Sequence, residues 1–122
     1  YSADYQNSAD LLTTSEAQGT TYKKLLCMAF DLALVIHYRN RSFFRFTYHD
    51  GILEGLDDRI KIRLLNKVKS ICEEYDLQYI LSLIDSDIPV DEKGEKYQFT
   101  SDEICLELND SDDSGKLFLH SF

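Results

Sequence analysis

Phe44-Arg45-Phe46-Thr47-Tyr48-His49-Asp50-Gly51-Ile52-Leu53-Glu54-Gly55-Leu56-Asp57 is the stretch on which the reading of this sequence turns. From Phe43 to Tyr48 aromatic residues and a threonine, interrupted by Arg45, favour the half-buried surface of a strand. His49-Asp50-Gly51 closes the run with residues that suit a turn. Asp57 follows seven positions after Asp50, and with Asp58 it stands where a helix would start. In open α/β sheets ligands bind beyond the carboxyl ends of the strands, so Asp50 is predicted to lie where a metal ion or phosphate is held.

Downstream, Leu64, Leu65, Val68, Ile71, Cys72 and Tyr75 recur at helical spacing, and Lys61, Arg63, Lys67 and Lys69 read as a solvated basic face. Gln78 to Ile84 is a short apolar run broken by Ser82 and followed by Asp85-Ser86-Asp87, as expected of a buried parallel strand. Strand, helix and strand then form a right-handed crossover unit. Upstream, the polar stretch Ser15 to Thr21 leads into a helix from about Tyr22 to Tyr38, apolar on most of its circumference and so predicted to be central. Ile104, Leu106 and Leu108 alternate with Cys105 and Glu107, and with a last strand from Lys116 to Leu119 they predict a hairpin over residues 103–119. The predicted class is α/β, a single domain over residues 1–122 with a small, mainly parallel sheet, packed helices and a C-terminal β-hairpin.

The 122 residues, 43% hydrophobic and 29% charged, suit one domain or part of a larger one. The chain opens on Tyr1 and shows no basic-then-apolar leader, which reads as a piece of a longer protein without a secretory signal. The longest apolar run, Leu25 to Ile36, is shorter than the roughly 20 residues of a membrane span, so no membrane partner is expected. Cys27, Cys72 and Cys105 lack the spacing of disulfide or zinc frameworks and read as free thiols in a reducing cytoplasm. With 22 acidic and 13 basic side chains the net charge is -9, which opposes nonspecific attraction to a phosphate backbone.

The pair Asp50 and Asp57, with its spacing, resembles the Walker B and D-loop segment of SMC, RecN and related ABC-type ATPase heads. Ser15-Glu16-Ala17-Gln18-Gly19-Thr20-Thr21-Tyr22, leading into a helix, is similar to the signature motif of the same heads. Phe30-Asp31-Leu32-Ala33-Leu34 followed by His49-Asp50-Gly51 resembles the C-terminal module of a bacterial SMC-like (YydD-like) family. The resemblance implies half of a P-loop ATPase head, with signature loop 15–21, Walker B and D-loop 44–57 and terminal hairpin 103–119. It implies Mg²⁺ bound through Asp50, and Asp57 at the interface with a second head in a homodimer. Ser15, Gly19 and Thr20 would touch the γ-phosphate of the partner's ATP. The Walker A half of the parent protein would be the first partner, and DNA, reached through other regions, or a defence-related complex the cargo.

Three departures accompany the resemblance. Gly51 stands where a catalytic glutamate normally follows the aspartate, which leaves Glu54 as the candidate to act with Asp50 in catalysis. Leu83-Ile84-Asp85 occupies the place of the switch histidine, and neither Walker A nor a Q-loop is present, so ATP and Mg²⁺ would bind only in the full-length protein. Two alternatives stay open. One is a catalytically inactive assembly module. The other is a Toprim-like nuclease site, in which Glu54, Asp85 and Asp87 would gather around Mg²⁺.

Overall fold

The computed structural model describes residues 19–117. Ser15 and the rest of the expected signature loop before Gly19 lie outside the described residues, as do residues 118–119 of the expected last strand. Helix α1 spans Thr20–Tyr38, strand β1 Phe46–Asp50, helix α2 Asp58–Tyr75 and strand β2 Gln78–Ser82, and 3-10 turns follow at Asp85–Asp87 and Asp113–Gly115. The order and the α/β class agree with the sequence reading. None of the helices among the described residues is long and apolar enough to cross a membrane.

β1 and β2 pair in parallel with Phe46 opposite Gln78 and Asp50 opposite Ser82. A parallel pair needs a crossover, and α2 supplies it. Asp57 caps α2 by accepting from the Arg59 amide at 3.0 Å. At the far end the amides of Asp76 and Leu77 both donate to the Cys72 carbonyl. Asp76 turns left-handed there (φ +54°), a conformation short polar side chains tolerate, and pairs with Arg45 beside β1.

The core forms where three segments meet. α1 gives Met28 and Leu32, the link after β1 gives Ile52, Leu53 and Leu56, and α2 gives Leu65 and Val68. Leu53 is the most enclosed of them, at 1% exposure. The inward face of the sheet adds Tyr79 and Leu81 beside buried Thr47. Its outward face leaves Phe46 and Tyr48 about half exposed.

Three expectations are corrected. α1 is not enclosed on several sides: Met28, Leu32 and Val35 are buried at helical spacing, whereas Phe30 and Leu34 are exposed. The terminal hairpin is not formed among the described residues, where Ile104, Leu106 and Leu108 are exposed and belong to no strand. The chain instead folds back locally, with Asp112 accepting from the Ser114 and Gly115 amides and the Asn109 amide donating to the Gly115 carbonyl at 2.9 Å. Alternating apolar residues supply a strand's pattern, but a ladder also needs a neighbour.

The basic face of α2 is the third. Lys61 is buried, with its side chain 7% exposed; its ammonium donates to the Asp87 carbonyl at 3.1 Å and lies within 3.7 Å of Asp58 and 3.6 Å of Asp87 carboxylate oxygens. Lys69 lies over the Tyr97 ring at 5.0 Å and pairs with Glu103 at 2.6 Å. The segment after β2 is thus strapped across α2.

Replacing Leu53 by alanine removes the most enclosed aliphatic side chain and is expected to destabilise the fold by about 2–5 kcal/mol, read as a shift in the urea midpoint. The strap gives a pH test. The hydrogen bond from Lys69 holds the Glu103 carboxyl below its usual range, and that bond, opposed by partial burial, holds the Lys69 ammonium above its own. A depressed carboxylate stabilises above its unfolded pKa and loses that contribution as pH falls through the folded value. The stability difference between the wild type and Glu103→Gln should therefore be present at neutral pH and shrink below about pH 4. It should shrink again at strongly alkaline pH, once the lysine deprotonates.

Candidate functional site

Asp50 is the last residue of β1, and the chain turns sharply after it. Gly51 takes φ +59° and Gly55 φ +73°, which bend the link inward so that Ile52 and Leu53 enter the core. The Glu54 amide donates to the Gly51 carbonyl at 3.1 Å and the Leu56 amide to the Leu53 carbonyl at 3.1 Å. Two successive turns thus carry the chain from Asp50 to Asp57, and both acids remain exposed.

Alternation along β1 separates the neighbours of Asp50. Tyr48 and Asp50 face outward, while Thr47 and His49 face α1. His49 lies 3.1 Å through Nε2 from the Asp31 carboxylate of α1, and its ring lies 5.5 Å from the Tyr79 ring. His49 Nδ1 and the Tyr79 hydroxyl are buried without a hydrogen-bond partner among the described residues. Burial pushes the Tyr79 phenol well above its usual range, so it stays protonated.

On the outward face Ser82 Oγ donates to Asp50 Oδ1, and the Tyr48 hydroxyl lies 3.2 Å from the same serine oxygen. Glu54 does not share in this arrangement. Its side chain is 76% exposed, with the carboxylate 3.9 Å from the Lys24 ammonium, which donates to the Glu54 carbonyl at 2.9 Å. Asp57 serves as the helix cap. Gly19 is the residue before α1 and Thr20 its first residue, so both lie at a helix start, where free amides favour anions.

The nuclease geometry is absent. Among the described residues no three His, Cys, Asp or Glu side chains gather as metal ligands, so Glu54, Asp85 and Asp87 do not converge. Asp85 is held by Lys96 at 2.7 Å, and Asp87 belongs to the Lys61 cluster. Asp50 offers a single carboxylate supported by a hydroxyl. One carboxylate can be enough for a hydrated Mg²⁺ when phosphates supply further ligands, because the ion keeps most of its waters.

Ser82 was visible in the sequence only as a polar interruption of an apolar run, and Asp31 only as part of the Phe30 to Leu34 phrase, with no role of its own. Their partners, Asp50 and His49, lie on another element, and no local pattern connects them. Lys61 gave no sequence signal of burial, because its partner Asp87 lies beyond β2.

Gly51→Ala tests the turn. A Cβ there would meet nothing closer than Glu54 Oε2 at 3.9 Å, so the cost comes from the backbone alone. A loss of about 1–2 kcal/mol is expected in chemical denaturation, with the circular dichroism spectrum unchanged.

No curated protein and no solved structure matches the chain. The model of one protein family does match, over residues 2–122, and by that extent the chain belongs to the family described as uncharacterised protein conserved in bacteria (DUF2326).

Proposed function

We propose that this chain is the C-terminal lobe of an SMC/RecN-like ATPase head, supplying Asp50 as the Walker B aspartate and Asp57 as the D-loop aspartate. The observation that carries the reading is the path from β1 to α2: an acid ends a parallel strand, a tight turn follows, and a second acid caps the next helix. In support, ligands of open α/β sheets bind beyond the carboxyl ends of the strands, which is where Asp50 lies.

The sheet supports the same reading. Among the described residues the sheet has two parallel strands and leaves Phe46 and Tyr48 exposed, whereas parallel sheets are generally covered on both faces. In the proposed head the Walker A half of the parent protein supplies the missing strands and the phosphate-binding loop. Mg²⁺ and ATP then bind between that half and Asp50, and a second head meets Asp57 and the start of α1. With a net charge of -9 the lobe is poorly suited to grip DNA, so a DNA-related or defence-related cargo is held by other regions.

Gly51 favours a second reading, in which the head binds ATP to assemble but does not hydrolyse it. At φ +59° a glutamate in that position would be strained, and Glu54 is held toward Lys24.

Both readings are tested on the full-length parent protein by measuring Mg²⁺-dependent ATP binding and turnover. Asp50→Asn is expected to raise the Mg²⁺ needed for ATP binding by tenfold or more. Absence of Mg²⁺-dependent ATP binding in the wild type would sink the head assignment. Turnover by the wild type that Asp50→Asn abolishes would exclude the assembly-only reading.

A further inference from the structure

Ser82 is the last residue of β2, after the apolar Tyr79, Ile80 and Leu81, and the fold places it directly opposite Asp50. It holds the end of β1 in two ways. Its carbonyl accepts from the Gly51 amide at 3.2 Å, and its hydroxyl donates to Asp50 Oδ1. A serine hydroxyl carries one proton and two lone pairs. With that proton committed to Asp50, the contact with Tyr48 at 3.2 Å must run the other way, from the phenol to Ser82 Oγ. The order is therefore Tyr48 Oη–H to Ser82 Oγ, and Ser82 Oγ–H to Asp50 Oδ1.

This chain of hydroxyls limits what Asp50 can do. An exposed aspartate at a strand end would otherwise sample several rotamers. With Oδ1 engaged, the carboxylate is held in one orientation with Oδ2 left for a ligand. Among the described residues Ser82 provides the only side-chain hydrogen bond to Asp50. Carboxylates that receive a cation are commonly aligned by such a second hydrogen bond, and removing the aligning partner weakens binding without touching the ion.

We propose that Ser82, backed by Tyr48, is a positioning residue that presets Asp50 for the hydrated divalent cation of a bound nucleoside triphosphate. The assignment rests on the ATPase-head reading above and adds to it a specific residue on the neighbouring strand. Ser82 acts through Asp50 and need not touch nucleotide or metal.

The experiment is a titration of ATP binding to the full-length protein with MgCl₂, for the wild type, Ser82→Ala, Ser82→Thr, Tyr48→Phe and Asp50→Asn, with a thermal melt of each. Ser82→Ala should raise the Mg²⁺ concentration for half-maximal ATP binding about tenfold, with the saturating level of binding unchanged. Ser82→Thr restores the hydroxyl and should return it to within about twofold of the wild type, and Tyr48→Phe should shift it less than Ser82→Ala does. Should Ser82→Ala fail to fold, Ser82→Cys, with the same shape and a weak donor, carries the same expectation. An unchanged Mg²⁺ requirement in Ser82→Ala overturns the proposal. So does a loss of binding that is equal at every Mg²⁺ concentration, since packing alone would produce it. If Asp50→Asn shifts the requirement and Ser82→Ala does not, only the role of Ser82 falls. If neither shifts it, the head reading falls as well.

Discussion

The link from Gly51 to Asp57 is the constraint on which the other features depend. Two left-handed glycines let it turn twice within a few residues, and between them Ile52 and Leu53 enter the contact between the helices. The end of β1 and the start of α2 are therefore fixed by the same buried side chains. A change in this link would move the strand end, the helix cap and the core together. The two exposed acids are thus positioned by buried residues that lie between them in the chain, Leu53 above all.

Polar contacts extend that rigidity outward in two directions. On the inner face, Asp31 and His49 connect α1 to β1, and the His49 ring packs beside Tyr79 of β2. On the outer face, Tyr48 and Ser82 act on Asp50. Lys61 adds a third tie, joining the first turn of α2 to the segment after β2 through Asp58 and Asp87. A lysine removed from water in this way is costly unless its charge is answered, and two carboxylates and a carbonyl answer it.

What could be read from the sequence was whatever is encoded locally. The period of Leu65 and Val68, the cap at Asp57, the punctuation at Gly51 and the crossover between two short strands each need only a few neighbouring residues. β1 starts at Phe46 and not at Phe43, because Phe43 is still in a turn in which its amide donates to the Arg41 carbonyl at 2.8 Å. The hairpin was misread for the opposite reason: Ile104, Leu106 and Leu108 alternate correctly, but pairing is a tertiary event. Of the candidate site, Asp50 and Asp57 came from spacing, whereas the Ser82 and Asp31 partnerships depend on which strands and helices become neighbours. The Glu54, Asp85 and Asp87 grouping failed because the residues were close in type and not in space.

The parallel pairing also sets the order in which the protein can form. β1 and β2 are joined across the whole of α2, so Phe46 meets Gln78 only when the intervening chain has been made and collapsed. Contacts of such long sequence separation pay their loop entropy before any reward, which slows folding. During synthesis the aromatic strand leaves the ribosome well before its neighbour, and Phe44, Phe46 and Tyr48 are then an unprotected edge. The nascent chain is most vulnerable to aggregation in that interval, and the helical spacing of α2 shortens it by letting the crossover fold locally first.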